Sequence, residues 1–187
     1  MPLKVINMGF HYRISEGGPY FITCTVVDWI DVFTRKNHKI CIVESLKHCQ
    51  QNKGLELYAW CLMPSHLHLI ANAKEGFKLS DILRDFKKFT SKEIISQIKD
   101  EPESRREWML DRFEFAGKYN AKIKDYKFWQ DGNHPVECYS PEFTKQKLDY
   151  IHYNPVEEMY VEEPQEYLFS SAKNYSGMKG LLDVILI

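Results

Sequence analysis

The sequence lacks the features of membrane, secreted or disulfide-stabilised proteins. No apolar stretch approaches the roughly 20 residues that cross a bilayer, and the amino terminus has no apolar segment like that of a secretory signal. The five cysteines are odd in number and scattered, and no two of them form a Cys-x-x-Cys pair. We therefore expect no membrane association, and buried free thiols in a reducing cytoplasm rather than disulfides or a cysteine zinc site.

A strong excess of either charge is also absent. Lys and Arg number 25 and Asp and Glu number 26, which gives a formal net charge of −1. The charge is unevenly distributed, with +2 over residues 1–77, +3 over 78–127 and −6 over 128–187. This distribution leaves room for a phosphate-binding face, but it predicts only a modest electrostatic contribution to nucleic-acid affinity.

The hydrophobic pattern predicts an α+β fold. It indicates strands over 20–27, 55–62, 66–71 and 127–130, and helices over 36–52, 79–98 and 141–153. Ser80 and Ser140 are the candidate N-caps, and Pro155 is expected to stop the last helix near Tyr153. The apolar stripe of the 79–98 helix includes Phe89. The order of elements is that of a ferredoxin-like layer, in which helices cover one face of an antiparallel sheet.

Two histidines stand at alternate positions just after a Met-Pro-Ser break between two apolar runs. His66 and His68 lie in the strand predicted over 66–71, so their side chains should share one face of the sheet. Two imidazoles held in this way can supply half the ligands of a divalent metal site. A polar strand face that happens to contain two histidines explains the triplet equally well.

The last predicted helix carries a second candidate pair. Tyr150 and Asn154 are four residues apart and therefore share one flank of the helix, while Leu148 and Ile151 should face the core. On this evidence alone, Tyr150 could be an aromatic at the edge of the core and Asn154 a C-cap. His152 points to another side of the helix and is expected to serve packing.

Four blocks of the sequence, in this order and spacing, resemble the single-tyrosine HUH transposases. The blocks are LMPSHLHLI (62–70), FKKFT (86–90), FWQ (128–130) and LDYIHYNPV (148–156). The closest branch is that of the REP-associated tyrosine transposases of bacteria. The resemblance implies one domain over 1–187 with a ferredoxin-like or RRM-like core of the HUH endonuclease type over about 18–175. Residues 99–127 would then be a charged insertion or flexible arm, with room for one short helix, and the chain would end in a C-terminal extension.

The resemblance also implies an activity and a set of site residues. His66, His68 and Asn154 match the ligands of a divalent cation, Mg²⁺ or Mn²⁺, and Tyr150 matches the nucleophile that attacks single-stranded DNA and forms a 5′-phosphotyrosine. The implied partner is single-stranded or hairpin DNA in a bacterial cytoplasm, bound by a monomer or a homodimer. Such a site is chemically reasonable, because a metal with open positions can polarise a phosphate. A covalent tyrosine intermediate also preserves the bond energy for rejoining.

Further candidates are less specific. Lys87, Lys88 and Lys92 recur at helical spacing and are candidate phosphate contacts, although a solvated helix face explains them as well. His134 is a possible accessory residue, since relatives often carry a histidine after the FWQ block. Glu157 and Glu158 depart from the family pattern, which commonly has basic and small residues there.

Two other function classes remain to be compared with the enzyme. A catalytically silent module that binds single strands on exposed aromatics would use a similar sheet. A two-histidine phosphoesterase requires two His-x-Ser/Thr repeats, and this chain has no such repeat at His66 and no second copy. The His66–His68 pair and Tyr150 favour the enzyme over both.

Overall fold

The structure, a computed structural model, describes residues 18–118 and 125–187. The first half of the chain forms β1 (Tyr20–Thr25), α1 (Lys36–Asn52), β2 (Leu55–Met63), β3 (His66–Ala73) and α2 (Leu79–Asp100). The second half forms α3 (Arg106–Gly117), β4 (Val136–Glu137), α4 (Pro141–Glu157) and α5 (Ala172–Tyr175). The strands make one antiparallel sheet in the order β2-β3-β1-β4, which confirms the predicted α+β, ferredoxin-like class.

The two faces of the sheet carry separate cores. Ile22, Leu67 and Leu69 belong to the larger core, which α1 and α2 cover. On the opposite face, Phe21 and Ile70 pack with apolar side chains of α4. The expectation that helices cover one face only is therefore wrong. The reason can be seen in β2, where the run from Ala59 to Met63 is apolar at every position, so that both of its faces need cover.

The predicted strand over 127–130 is also wrong. Trp129 makes only an isolated bridge to Val26, and the edge strand of the sheet is β4, which pairs with Tyr20 and Phe21. The aromatic residues that suggested a strand are core residues instead, with Phe128 and Trp129 packed against Phe33. Aromatic side chains favour strands because they fit half-buried surfaces, and a buried loop offers them a similar environment.

Three details of the predicted helices differ from the structure: the N-cap of α2, the burial of Phe89 and the end of α4. α2 begins at Leu79 with Lys78 as its N-cap, so Ser80 is not the cap, and Phe89 is exposed. Ser140 caps α4 as predicted, with its Oγ accepting a hydrogen bond from the Phe143 backbone N–H at 3.2 Å. α4 continues past Tyr153 to Glu157 with Pro155 inside it. A proline removes one helical N–H only, and the buried Pro155 ring lies on the side of the helix that packs against the protein.

The charged segment over 99–127 contains a packed helix. Met109 and Phe113 of α3 are fully buried, and the Phe113 ring lies 5.3 Å from that of Phe128. Three ion pairs join this segment to the connection between β1 and α1: Arg112–Asp28 (2.8 Å), Arg105–Asp31 (2.5 Å) and Arg35–Glu103 (2.8 Å). Whether the segment is an insertion stays a prediction. Residues 119–124 of it, like residues 1–17 of the predicted domain, lie outside the described residues.

All five cysteines are buried free thiols, as expected. Burial raises the pKa of Cys61 to about 12 and those of Cys41 and Cys49 to about 11, so these thiols are un-ionised and unreactive at neutral pH. Among the helices of residues 18–118 and 125–187, none combines the length and the apolar character that a bilayer span requires.

Candidate metal and tyrosine site

The two histidines share one face of the central strand β3, as predicted. The ring centroids of His66 and His68 are 4.7 Å apart, with the rings at 73° to each other. His68 is buried and His66 is half-buried. Their face of the sheet is the one that packs against α4, because the intervening Leu67 belongs to the core on the other side.

Each histidine is held through its Nδ1 atom by a hydroxyl. Thr23 Oγ1 lies 3.0 Å from His68 Nδ1, and Ser65 Oγ lies 3.1 Å from His66 Nδ1. In the tautomer in which Nδ1–H donates to the hydroxyl, the lone pair is on Nε2. His68 Nε2 is buried and has no hydrogen-bond partner among the described residues. A hydroxyl that fixes one ring nitrogen while the other is free is the arrangement found around metal-binding imidazoles.

Burial keeps both imidazoles neutral. It lowers the pKa of His66 to about 4. Burial likewise lowers the pKa of His68 to about 3, with smaller contributions in the same direction from the charges of His66 and Lys147. The neutral imidazole is the form that binds a metal, so the pair is ready to act as ligands at physiological pH.

The candidate nucleophile lies directly over the histidines. The centroid of the Tyr150 ring is 5.2 Å from that of His68 and 5.9 Å from that of Phe21, and 42% of Tyr150 is exposed. Burial raises the pKa of the Tyr150 hydroxyl, and the negative charge of Glu157 raises it further, while a hydrogen bond with Asn154 lowers it. Tyr150 is therefore a neutral phenol that solvent and substrate can reach.

Asn154 lies one helical turn beyond Tyr150 and is buried inside α4. Its Oδ1 atom is a second buried acceptor with no partner among residues 18–118 and 125–187. Native proteins rarely leave buried acceptors unpaired, so two such atoms on neighbours of one tyrosine need an explanation. A divalent cation would provide one, because imidazole nitrogens and amide oxygens are both metal ligands.

No three His, Cys, Asp or Glu side chains in the described part of the chain are grouped as metal ligands. The His66–His68 pair would therefore supply two ligands of a metal at this site, and the role of the Asn154 amide as a third stays a prediction.

The other predicted residues lie elsewhere. Lys87 donates to three oxygens of the loop over 130–133, with Nζ 2.8 Å from Asn133 Oδ1. Lys88 and Lys92 are exposed on α2, which covers the sheet face opposite to the histidines. His134 is exposed and has a positive φ of 41°.

His152 packs into the structure, as expected. It is buried, and its Nε2 lies 2.9 Å from Ser171 Oγ. Its ring also contacts the edge of Tyr175. Burial lowers the pKa of His152 to about 4, so this imidazole is neutral as well, although it takes no part in the His66–His68 pair.

Three site residues were missed from the sequence. Thr23 is paired with His68 in the β1–β3 register, which cannot be read before the strands are aligned. Lys147 precedes Tyr150 by three residues, and this helical spacing was an available signal. Trp29 is exposed, lies 5.3 Å from His66 between ring centroids, and has a φ of 57°. Nothing in the local sequence indicates that conformation.

Comparison with known proteins now places the chain in a family. The sequence profile described as "Transposase IS200 like" matches residues 20–127, which is more than half of the chain. The chain therefore belongs to the IS200-like transposase family. The match includes Thr23, His66 and His68 but ends before α4, so the roles of Tyr150 and Asn154 depend on geometry.

Two solved structures resemble this one. One is a REP-associated tyrosine transposase bound to a REP hairpin, which is 18% identical, with 94% of this chain and 93% of that chain covered and a TM-score of 0.62. It shows the same fold. The other is a putative transposase from Deinococcus radiodurans, 16% identical, with 76% and 92% covered and a TM-score of 0.44. Among curated proteins, none matches the chain.

Proposed function

We propose that this transposase-family protein cleaves and transfers single-stranded DNA, with Tyr150 as the nucleophile. One observation carries the proposal: Tyr150 contacts both His68 and Asn154, and each of these has a buried atom, Nε2 or Oδ1, without a hydrogen-bond partner among the described residues. Other buried atoms of the described residues also lack a partner, among them Asn174 Oδ1, so what supports the proposal is that two of them belong to neighbours of one exposed tyrosine.

The residues that would hold a divalent metal are His66, His68 and Asn154. When bound, Mg²⁺ or Mn²⁺ would supply positive charge to the oxygens of a phosphodiester, as a Lewis acid does. Thr23 and Ser65 orient the two imidazoles through their Nδ1 atoms. Helix α4 fixes Asn154 one turn from Tyr150, so the ligand and the nucleophile move as one rigid unit.

The proposed reaction is a transesterification. The Tyr150 oxygen forms a bond to phosphorus, and the bond between phosphorus and the 3′-oxygen breaks. The phenol loses its proton, the leaving strand ends in a free 3′-hydroxyl, and the downstream strand remains attached as a 5′-phosphotyrosine. No free energy of hydrolysis is released, so a second 3′-hydroxyl can reverse the step and complete strand transfer.

The proposed substrate is single-stranded DNA next to a hairpin. Family membership supports DNA as the substrate, and the solved structure with the same fold is that of a protein bound to a REP hairpin. Tyr150 is open to solvent, as attack on a polymer requires. His68 and Tyr150 of the same chain are in contact, so we propose that a monomer contains a complete site.

A labelled oligonucleotide tests the proposal. With Mn²⁺ and single-stranded DNA, a 3′ label should co-migrate with the protein on a denaturing gel, while a 5′ label should run as a shortened free strand. Tyr150→Phe keeps the ring, so DNA binding should persist and the adduct should disappear; Tyr153→Phe, on an exposed side of the same helix, is the matched control. EDTA should abolish the adduct. Retention of the 5′ label would refute the polarity, and binding without any cleavage would identify a silent module.

A further inference from the structure

A stripe of three side chains begins just before the N-cap of α4 and leads along the helix towards Tyr150. Tyr139, Phe143 and Lys147 follow one another at intervals of four residues, and Tyr150 comes three residues later. The rings of Tyr139 and Phe143 are stacked, with centroids 4.8 Å apart and planes at 17°. Lys147 Nζ lies 5.1 Å from the centroid of Phe143. We call these three residues the Tyr139 stripe.

The stripe is not explained by the hydrophobic core. Tyr139 is 74% exposed, more than any other aromatic residue in the described part of the chain. Neither Tyr139 nor Phe143 belongs to either core cluster. A stacked aromatic pair at the surface offers a flat apolar face to the solvent, and such faces are what bases of single strands stack on.

Lys147 joins the stripe to the site. Its Nζ lies 4.9 Å from the centroid of the Phe21 ring, which in turn stacks on His68 at 5.5 Å and meets the edge of Tyr150 at 5.9 Å. Within residues 18–118 and 125–187 no carboxylate forms an ion pair with Lys147, whereas its neighbour Lys145 is paired with Asp149 at 2.7 Å. Lys147 is thus a half-buried cation near the nucleophile, without an anion of its own.

The charged side chains of α4 are unevenly distributed along the helix. Glu157 at its carboxyl end and Glu158 just after it are negatively charged. Towards the amino end, Lys145 is paired with Asp149 and Glu142 lies in the first turn, which leaves Lys147. Of the two directions along α4 from Tyr150, the one towards Lys147 is therefore the one that offers a phosphate a cation without an ion-pair partner among the described residues.

We propose that the Tyr139 stripe is the subsite for the single strand beside the scissile phosphate. Lys147 binds the phosphate backbone at the approach to Tyr150, and the exposed face of Tyr139 stacks a base, with Phe143 supporting its other face. Phe143 lies between the two, with its ring centroid 4.8 Å from that of Tyr139 and 5.1 Å from Lys147 Nζ, so the stacked base and the bound phosphate would be neighbours on one surface. This inference rests on the proposed function, because the strand it describes is the one that Tyr150 would attack. Its statements about DNA binding can be tested without the reaction.

Binding in EDTA tests the stripe without the reaction. Anisotropy of a fluorescent single-stranded oligonucleotide should show that Tyr139→Ala binds roughly tenfold more weakly and that Tyr139→Phe binds like the native chain. Lys147→Gln should reduce the slope of log affinity against log salt by about 0.7, the value for one phosphate of a single strand. The matched controls are Tyr153→Ala and Lys145→Gln, which remove an exposed tyrosine and a lysine of the same helix outside the stripe.

The outcomes separate the two proposals. If the native chain forms the tyrosine adduct but Tyr139→Ala and Lys147→Gln bind like their controls, the stripe is overturned and the proposed function stands. If the binding differences are found but no adduct forms, the stripe stands and the proposed function fails. Failure of the native chain to bind single strands overturns both. Tyr139 is exposed, so its variants should melt at the native temperature, and a lowered melting temperature together with weaker binding would assign the residue to folding instead.

Discussion

Replacing Asn154 with alanine should leave the metal-free protein as stable as the native chain, or more so. The Oδ1 atom is buried without a partner, and such an atom costs about 1–3 kcal/mol. Alanine also favours the helix interior over asparagine by up to about 0.7 kcal/mol. Against this, the variant loses side-chain packing and the hydrogen bond to Tyr150, which is worth about 1 kcal/mol. We expect a change between zero and about 2 kcal/mol of added stability in EDTA.

Mn²⁺ should make the native chain more stable than Asn154→Ala, which reverses their order of stability in EDTA. At a hundredfold excess over its Kd, the ion would stabilise the native chain by about 2.7 kcal/mol. That corresponds to a rise in Tm of about 5–10 °C for a chain of this size. Asn154→Ala should lose most of the rise because it lacks one ligand. Urea titration in EDTA and thermal melts with and without Mn²⁺ measure both quantities.

A matched control exists in Asn174, whose Oδ1 is likewise buried and unpartnered within the described residues. Its amide donates to the Leu182 carbonyl at 3.1 Å, far along the chain from the histidines. Asn174→Ala should keep the full Mn²⁺ shift. The reasoning is refuted if Asn154→Ala is destabilised by more than about 1 kcal/mol in EDTA and still shows the native shift, because Asn154 would then be a structural residue.

Three further results are expected. Thr23→Val removes the hydroxyl beside His68 Nδ1 and should weaken Mn²⁺ binding by about 10–100-fold in calorimetry, with stability in EDTA nearly unchanged; an unaltered affinity would mean that the hydroxyl does not orient the ring. His66, His68 and His152 have folded pKa values of about 4, 3 and 4, below the 6.5 of the unfolded chain, so the folded state binds fewer protons. Stability in EDTA should therefore be complete above pH 6.5 and fall as the pH drops from there towards 4, and a flat urea midpoint across that range would show that the histidines are hydrated. Lys87→Met leaves three oxygens of the 130–133 loop without their donor and should lower the free energy of unfolding by about 1–3 kcal/mol, whereas an exposed DNA contact would leave it unchanged.

The parts of the structure that follow a short-range rule were predictable. Alternation in a strand placed His66 and His68 together, and helical spacing placed Asn154 one turn from Tyr150. The order of strands and helices predicted the class of the sheet, because a ferredoxin-like order allows few arrangements, but its fourth strand is β4 and not the predicted 127–130. Ser140, a typical N-cap residue, and Pro141, which is favoured at the first helical position, correctly predicted where α4 begins.

The remaining features depend on long-range packing. Lys87 was a candidate phosphate contact, with a solvated helix face as the alternative, but its flexible side chain turns inward because the 130–133 loop presents oxygens to it. Pro155 was expected to end α4, but packing against the sheet outweighs one missing hydrogen bond. The pairing of Thr23 with His68 joins residues 45 positions apart, which no local pattern encodes.

The ion pairs of α3 have a consequence for the histidines. Asp28 and Trp29 are consecutive left-handed residues, a conformation that Asp tolerates but that costs a residue such as Trp about 1–2 kcal/mol, and Trp29 contacts His66. Arg112 donates a hydrogen bond to the Asp28 carboxylate in that turn. Phe113, the next residue of α3, is fully buried in the core. Exposed ion pairs are individually weak, but Arg112 belongs to a helix whose Met109 and Phe113 are fully buried, so its backbone is held in place. Helix α3 therefore supports, through Asp28, the tryptophan that contacts the first histidine, although no residue of α3 belongs to the candidate site.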